Sequence, residues 1–232
     1  MRIVIITDSM GLARPWLAKE DERTEYEDTY PYLLRKKYQG KNEVEILTHW
    51  GLDTADFRHY IYYLATIKRA DIVIIHVGIN DCSPRVFSKG SRSILVRPWF
   101  AKWTRNISVR LIHKYRHIFT RVIRKVYVKK EIFKENLIYI KNDIKKFNSA
   151  AEMIAISICL SSDELLRRSY GLKKNILTYN EIMKEIFQEN YIEINDILNN
   201  NSIHISDGIH LKPEVHLMLS DLIDRKIKQV RK

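Results

Sequence analysis

The stretch Asp71-Ile-Val-Ile-Ile-His-Val-Gly-Ile-Asn-Asp81 decides the fold. Four consecutive β-branched residues, Ile72 to Ile75, leave no polar face. Such a run suits a strand buried on both sides, as in a parallel sheet covered by helices. It then breaks into Val77-Gly78-Ile79-Asn80-Asp81, where small and polar residues fit a turn leaving the strand's carboxyl end. The amino terminus is built alike: Arg2–Ile6 is dominated by β-branched residues and breaks into Thr7-Asp8-Ser9-Met10-Gly11. Glu43–Leu47, Met153–Ile158 and Tyr191–Ile194 read as three further strands. Helical patterns lie between and after them, over Pro31–Tyr38, Asp53–Lys68, Asn175–Gln188 and Lys212–Val230, the last with Pro213 near its first turn. The alternation predicts an α/β chain with a parallel sheet.

The 232 residues are 45% apolar, enough to bury a real core, and seven glycines and five prolines exclude a low-complexity or collagen-like chain. Two cysteines, Cys82 and Cys159, make no disulfide framework, and no metal-type Cys/His spacing surrounds them, so neither metal nor cofactor is expected. His49, His76, His204 and His216 are scattered and read as core or surface residues. Apolar runs such as Met153–Leu160 are too short to span a bilayer. Arg2–Ile6 passes straight into Thr7-Asp8-Ser9, which does not read as a secretory leader. A soluble, reduced, cytoplasmic protein is expected, with one domain over 1–232.

The net charge of +12 is local. Residues 85–130 hold 14 Lys or Arg and no Asp or Glu, which leaves 26 basic and 28 acidic residues elsewhere. This basic helical insertion falls within the long connection between the third and fourth strands. Trp99, Trp103, Ile107, Leu111, Tyr115, Phe119, Val122 and Val126 recur at helical spacing along it, with Lys102, Arg105, Arg110, Lys114, Arg121, Arg124 and Lys125 between them. A second pattern, Phe133, Leu137, Ile140, Ile144 and Phe147, leads into the fourth strand. The basic segment has several readings: a merely solvated face, a helix lying on an anionic membrane at its inner face, or one wall of a cleft for an acidic polysaccharide. Nucleic acid fits the charge, but no nucleic-acid motif accompanies it.

Reactive groups in open parallel sheets gather at the carboxyl ends of strands. Three such places carry unusual polar residues: Thr7-Asp8-Ser9-Met10-Gly11, Val77-Gly78-Ile79-Asn80-Asp81, and Ser206-Asp207-Gly208-Ile209-His210-Leu211 before the last helix. A serine nucleophile needs a base, and the base needs an orienting acceptor. Asp207 and His210, three residues apart, supply that pair, and Asn80 offers an amide donor for a developing oxyanion. Taken singly, each has a plainer reading. Asp8-Ser9 fits a helix N-cap; Gly78, Asn80 and Asp207-Gly208 fit turns. Asp81 fits a cap or a support for the Asn80 loop, and Cys82, with no nearby base, fits a structural role.

Together, Asp8-Ser9, Gly51 after the second strand, Gly78-Ile79-Asn80-Asp81 and Asp207-Gly208-Ile209-His210 resemble the blocks of the SGNH (GDSL-type) hydrolases, with Thr7 standing where that family usually has glycine. The resemblance implies a flavodoxin-like three-layer sandwich with a five-stranded parallel sheet of order 2-1-3-4-5. It implies acyl-ester chemistry: Ser9 as nucleophile, His210 as general base and then acid, Asp207 holding the imidazole tautomer, and the N–H groups of Ser9 and Gly51 with the Asn80 amide as oxyanion hole. The expected substrate is an acyl ester, foremost an O-acetyl group on a saccharide, with acyl transfer to a glycan and lipid-ester hydrolysis as alternatives. A non-catalytic basic binding protein is the rival from another class.

Overall fold

The computed structural model describes residues 1–63, 69–87, 89, 110–112, 114–196 and 203–231. Five strands form one wholly parallel sheet: β1 (Arg2–Thr7), β2 (Glu43–Thr48), β3 (Ile72–His76), β4 (Glu152–Ile156) and β5 (Tyr191–Ile192). Their order is β2-β1-β3-β4-β5, as the resemblance implied. The helices are α1 (Tyr30–Tyr38), α2 (Thr54–Tyr63), a single turn α3 (Ile79–Cys82), α4 (Arg116–Ile123), α5 (Lys130–Phe147), α6 (Asp163–Arg168), α7 (Leu172–Phe187) and α8 (Pro213–Val230).

Alternation along the strands divides the core in two. Ile3, Ile5, Ile72 and Ile74 face α1 and α8, where they meet Tyr30, Leu34, Leu219 and Ile223. Val4, Ile6, Val73 and Ile75 point the other way, toward Phe57 of α2, Phe133, Leu137 and Ile140 of α5, and Ile176 and Met183 of α7. Burial on both faces explains why the central strands lack any polar alternation. Thr7 pairs with both Thr48 and His76, so three strands end level and the residues after them share one edge.

Several boundaries differ from the expected ones for local reasons. β4 stops at Ile156, short of Ile158, because the Asn180 side chain takes over the backbone of Ile158: its amide accepts from the N–H (2.7 Å) and donates to the carbonyl (2.9 Å). β5 stops at Ile192, short of Ile194, whose N–H donates to the Ser157 hydroxyl at 2.9 Å. α7 begins at Leu172 rather than Asn175, because its N-cap is Gly171, which carries no side chain to announce it. The short α6 escaped the periodicity, although Ser162 caps it by accepting from Leu165 N–H. Helix α2 is described as far as Tyr63; the expected continuation to Lys68 lies outside the described residues.

The expected basic helix through Val126 ends instead at Ile123. Arg124 adopts a left-handed φ of 47°, and Arg85 N–H then donates to the Lys125 carbonyl at 2.7 Å in an antiparallel bridge. Trp99, Lys102, Trp103, Arg105 and Ile107 lie outside the described residues. No helix among the described residues is long and apolar enough to cross a membrane.

Candidate active site

Strand β1 delivers Asp8 and Ser9 into a tight turn. Asp8 Oδ1 accepts from Met10 N–H (2.9 Å), its carbonyl accepts from Gly11 N–H (3.2 Å), and the carbonyl of Ser9 accepts from Leu12 N–H (3.4 Å). The threonine at position 7 is accommodated by the glycine four residues on. A Cβ built on Gly11 would lie 2.3 Å from Thr7 Cγ2, so the Thr7 methyl fills the space that any other residue at 11 would need. Arg14, buried at 4% exposure, ties this turn down by donating to the carbonyls of Ser9 (2.8 Å) and Leu12 (3.0 Å). Nothing in the sequence spacing had marked Arg14.

The loop before α8 brings the base. His204 pairs with Leu211, and Ile205 N–H donates to the His210 carbonyl at 2.9 Å, closing a narrow loop over residues 206–209. Its tip requires glycine twice over: Gly208 has φ +73°, and a Cβ there would meet Ser162 Oγ at 2.2 Å. Asp207 Oδ1 accepts from the N–H groups of Ile209 (2.8 Å) and His210 (3.0 Å), which aims its other oxygen at the imidazole. Asp207 Oδ2 accepts from His210 Nδ1, and His210 Nε2 lies 2.9 Å from Ser9 Oγ. An ionised carboxylate can only accept, so Nδ1 carries a hydrogen, and in the neutral imidazole this leaves the Nε2 lone pair to face the Ser9 hydroxyl. Burial by itself would raise the Asp207 carboxyl; the hydrogen bond and charge of His210, with the two backbone donors, outweigh it and hold the group down at about 2.

Strand β3 supplies the third block. Gly78 has φ +127°, and a Cβ there would fall 2.6 Å from Ile158 Cδ1, so glycine suits the place where the exit of β3 passes the segment that follows β4. Asn80 then sits on α3 with its Nδ2 donating to the Leu52 carbonyl (3.2 Å) and, at 3.5 Å, to Asp8 Oδ2. Its Oδ1 accepts from the Arg85 guanidinium at 3.1 Å. Because arginine can only donate, this contact fixes which end of the amide is oxygen and keeps the NH₂ turned toward the β1 turn. Asp81, read as a cap or a support for the Asn80 loop, accepts through Oδ1 from the N–H (2.9 Å) and hydroxyl (2.5 Å) of Thr54 and so pins the start of α2 to the exit of β3. Burial, and after it a neighbouring carboxylate (Asp81 for the first, Asp53 for the second), pushes Asp8 and Asp81 each up to about 7. Cys82 is fully buried with its thiol pushed well up by burial, which leaves it no thiolate character.

Ser9, Gly51, Asn80, Asp207 and His210 all line one cavity of about 440 Å³. The five residues singled out in the sequence therefore meet, from four separate loops. Gly51 has φ +75° beside Trp50, whose ring is 60% exposed, 6.2 Å from the His210 ring and 5.5 Å from the Arg14 guanidinium. Other walls of the cavity bring cations that had not been singled out one by one: Arg85 and Arg116 come from the basic segment and Arg168 from α6. Of the readings of the basic segment, a wall of a cleft is the one that fits these two arginines. A larger groove, about 770 Å³ and bordered by Pro84, Arg124, Tyr170, Lys173 and Lys174, contains none of the five residues.

No sequence profile of a known protein family matches the chain, and no curated protein matches it. Solved structures do. A lipase/acylhydrolase from Enterococcus faecalis superposes with a TM-score of 0.65 at 17% identity, over 99% of this chain and 96% of that one. TesA does so at 0.62 and 12% identity over 99% of both chains, and the acetyl xylan esterase AlAXEase at 0.61 and 16% identity over 96% and 98%. Agreement over the whole length at such low identity is agreement of backbone: this chain has the fold of the SGNH (GDSL-type) hydrolases.

Proposed function

We propose that this protein is a serine acyl-ester hydrolase whose substrate is an O-acetyl group on a saccharide. The observation that carries the reading is the relay Asp207–His210–Ser9, assembled in a cavity whose volume lies in the usual range for small-molecule sites, roughly 300–1,000 Å³. Ser9 Oγ attacks the ester carbonyl as His210 Nε2 takes its proton. Charge developing on the carbonyl oxygen is met by the N–H groups of Ser9 and Gly51 and by Asn80 Nδ2, which gives up its long 3.5 Å contact with Asp8 for it. Collapse of the intermediate expels the sugar hydroxyl, which recovers the proton from His210. Water then repeats the sequence on the acyl-serine. A saccharide hydroxyl in place of that water gives acyl transfer with the same residues. The acetylated saccharide is supported by the acetyl xylan esterase among the structures of this fold, and the lipase/acylhydrolase among them keeps a lipid ester as the alternative substrate.

The reading is tested by release of p-nitrophenol from p-nitrophenyl acetate, by mass-spectrometric mapping of a fluorophosphonate adduct, and by a panel of acetylated glycans. The adduct is expected on Ser9. A protein that hydrolyses no ester and takes no label at Ser9 is not this enzyme.

A second reading concerns the basic segment. Helix α4 docks through Arg116 and Thr120: Arg116 donates to Ser169 Oγ and the Pro84 carbonyl, and Thr120 accepts from Tyr170 N–H at 2.9 Å. Its polar edge therefore faces the protein, while Ile118 and Val122 are 58% and 76% exposed among surrounding cations. We infer that this face meets an anionic membrane surface, which suits a protein working at the inner face of a membrane.

A further inference from the structure

Three guanidinium groups line the cavity of Ser9 and His210: Arg85 after α3, Arg116 at the start of α4 and Arg168 at the end of α6. Asp207 is the one carboxylate among the described residues lining it, and it is engaged with His210. The arginines are only partly satisfied by the protein. Arg85 donates to Asn80 Oδ1 and lies 4.4 Å from the centre of the Tyr127 ring, yet its Nε is buried without a hydrogen-bond partner among the described residues. Arg116 has two neutral acceptors, Ser169 Oγ (2.7 Å) and the Pro84 carbonyl (3.1 Å). Arg168 pairs at 3.2 Å with Glu164 one turn back on α6, an exposed contact of the kind that contributes little.

Partly buried like charges repel, and removing them from water without counter-charge is costly. The neighbouring charges are felt: burial, and then the positive charges of Arg85 and Arg168, lower the Arg116 guanidinium from its usual value. Neutral donors could satisfy Asn80 Oδ1, Ser169 Oγ and the Pro84 carbonyl equally well, so these hydrogen bonds do not by themselves require three like charges in one cavity. A bound oxyanion removes the repulsion and satisfies the free donors, and forked guanidinium groups match carboxylate and phosphate geometry. Any such anion in this cavity lies within the same small volume as Ser9, so it belongs to the molecule on which Ser9 acts.

We propose that the ester processed at this site carries an oxyanion, a carboxylate or a phosphate on the acylated saccharide, and that Arg85, Arg116 and Arg168 receive that anion while Ser9 engages the acyl group. The inference rests on the acyl-ester reading above. Through its bond to Asn80, Arg85 also ties the anion's seat to the amide that faces the developing charge.

The test compares kcat/KM for three O-acetyl glucose derivatives: a neutral methyl glucoside, the corresponding methyl glucuronoside, which carries a carboxylate, and a glucose phosphate. The wild type is expected to favour one or both anionic substrates by about tenfold or more, the value of one charge-assisted hydrogen bond, and salt should reduce the preference. The two anionic substrates decide between carboxylate and phosphate. Arg116→Gln should lower the anionic-to-neutral ratio about tenfold, with partial recovery in Arg116→Lys. Arg168→Gln, at a half-exposed position, gives the same readout if Arg116→Gln does not fold. In parallel, calorimetry on Ser9→Ala measures binding of glucuronate and of inorganic phosphate independently of turnover. Equal kcat/KM for all three esters, or a ratio untouched by both glutamine variants, overturns the proposal while leaving the esterase reading intact. Anion binding that depends on Arg116, in a protein with no activity on any ester, overturns the esterase reading instead.

Discussion

Ser9 Oγ and His210 Nε2 stand 2.9 Å apart although 201 positions separate them in the chain. The contact joins the end of the first strand to the loop before the last helix, with Asp207 behind the imidazole. Ser9→Ala and His210→Ala are each expected to lower kcat on a small acyl ester by at least about 10³-fold, and the double variant should be hardly worse, because such groups act as a unit. Circular dichroism and Tm should show folded protein in each case. Substantial turnover in Ser9→Ala would remove the serine from its assigned role.

Asn80→Ala should reduce kcat by roughly 10²–10³, the usual loss for one oxyanion donor, with a smaller effect on KM. In the proposed mechanism the amide acts on charge that is absent from the ground state. Steady-state kinetics separate the two parameters, and a change confined to KM would make Asn80 a substrate contact.

The Thr7–Gly11 pair predicts a coupled effect on stability. Gly11→Ala places a methyl on Thr7 Cγ2 and should cost about 1–3 kcal/mol, the range for overpacking a filled site. In Thr7→Ala the same substitution should cost distinctly less, since the colliding group is gone. A double-mutant cycle by urea denaturation measures the difference; simple additivity would show that the two residues do not compete for this space.

Asp81 offers a pH-dependent test. Its folded pKa, about 7, is raised above the usual carboxylate value, first by burial and further by Asp53, so the folded state holds a proton that the unfolded chain has released. Its stability contribution is therefore complete below about pH 4 and is lost as pH rises through about 7. Asp81→Asn keeps an oxygen to accept from Thr54 and removes the titration. Its stability relative to wild type should grow between pH 4 and 8, by at least about 1 kcal/mol. Comparing variant with wild type cancels the opposite trend from His76 and His216, which burial lowers to about 4 and about 3. A difference that stays flat across this range would mean that Asp81 titrates normally.

Replacing Arg110, Lys114, Arg121 and Arg124 by Gln should weaken binding to anionic vesicles at low salt, with the gap to wild type closing as salt is added. None of the four lines the Ser9 cavity. Vesicle co-sedimentation that is equal for both proteins at low salt would make the charge a solvated face.

The sheet was legible because its signal is local. Ile72–Ile75 and Arg2–Ile6 have no polar side to turn outward, and a chain that cannot expose either face of a strand must cover both. The short blocks Asp8-Ser9, Gly78–Asp81 and Asp207–His210 were legible for a similar reason: turn chemistry and residue type coincide within three or four positions. Strand ends were less so, because Asn180 and the Ser157 hydroxyl take over the backbone of Ile158 and Ile194 from far along the chain.

The sequence by itself determined that the chain builds a parallel α/β sheet and that a serine, a histidine and an aspartate sit where such sheets gather reactive groups. Only the tertiary structure decided what surrounds them. Arg14 reaches the Ser9 turn, Arg85 sets the Asn80 amide, and Arg116 turns inward from a helix whose apolar residues Tyr115, Phe119 and Val122 stay exposed. An amphipathic pattern tells that a helix has two faces, but which face docks depends on what the opposing surface offers. Here that surface offers the Pro84 carbonyl, Ser169 Oγ and Tyr170 N–H, three polar groups that an apolar stripe would have left unsatisfied.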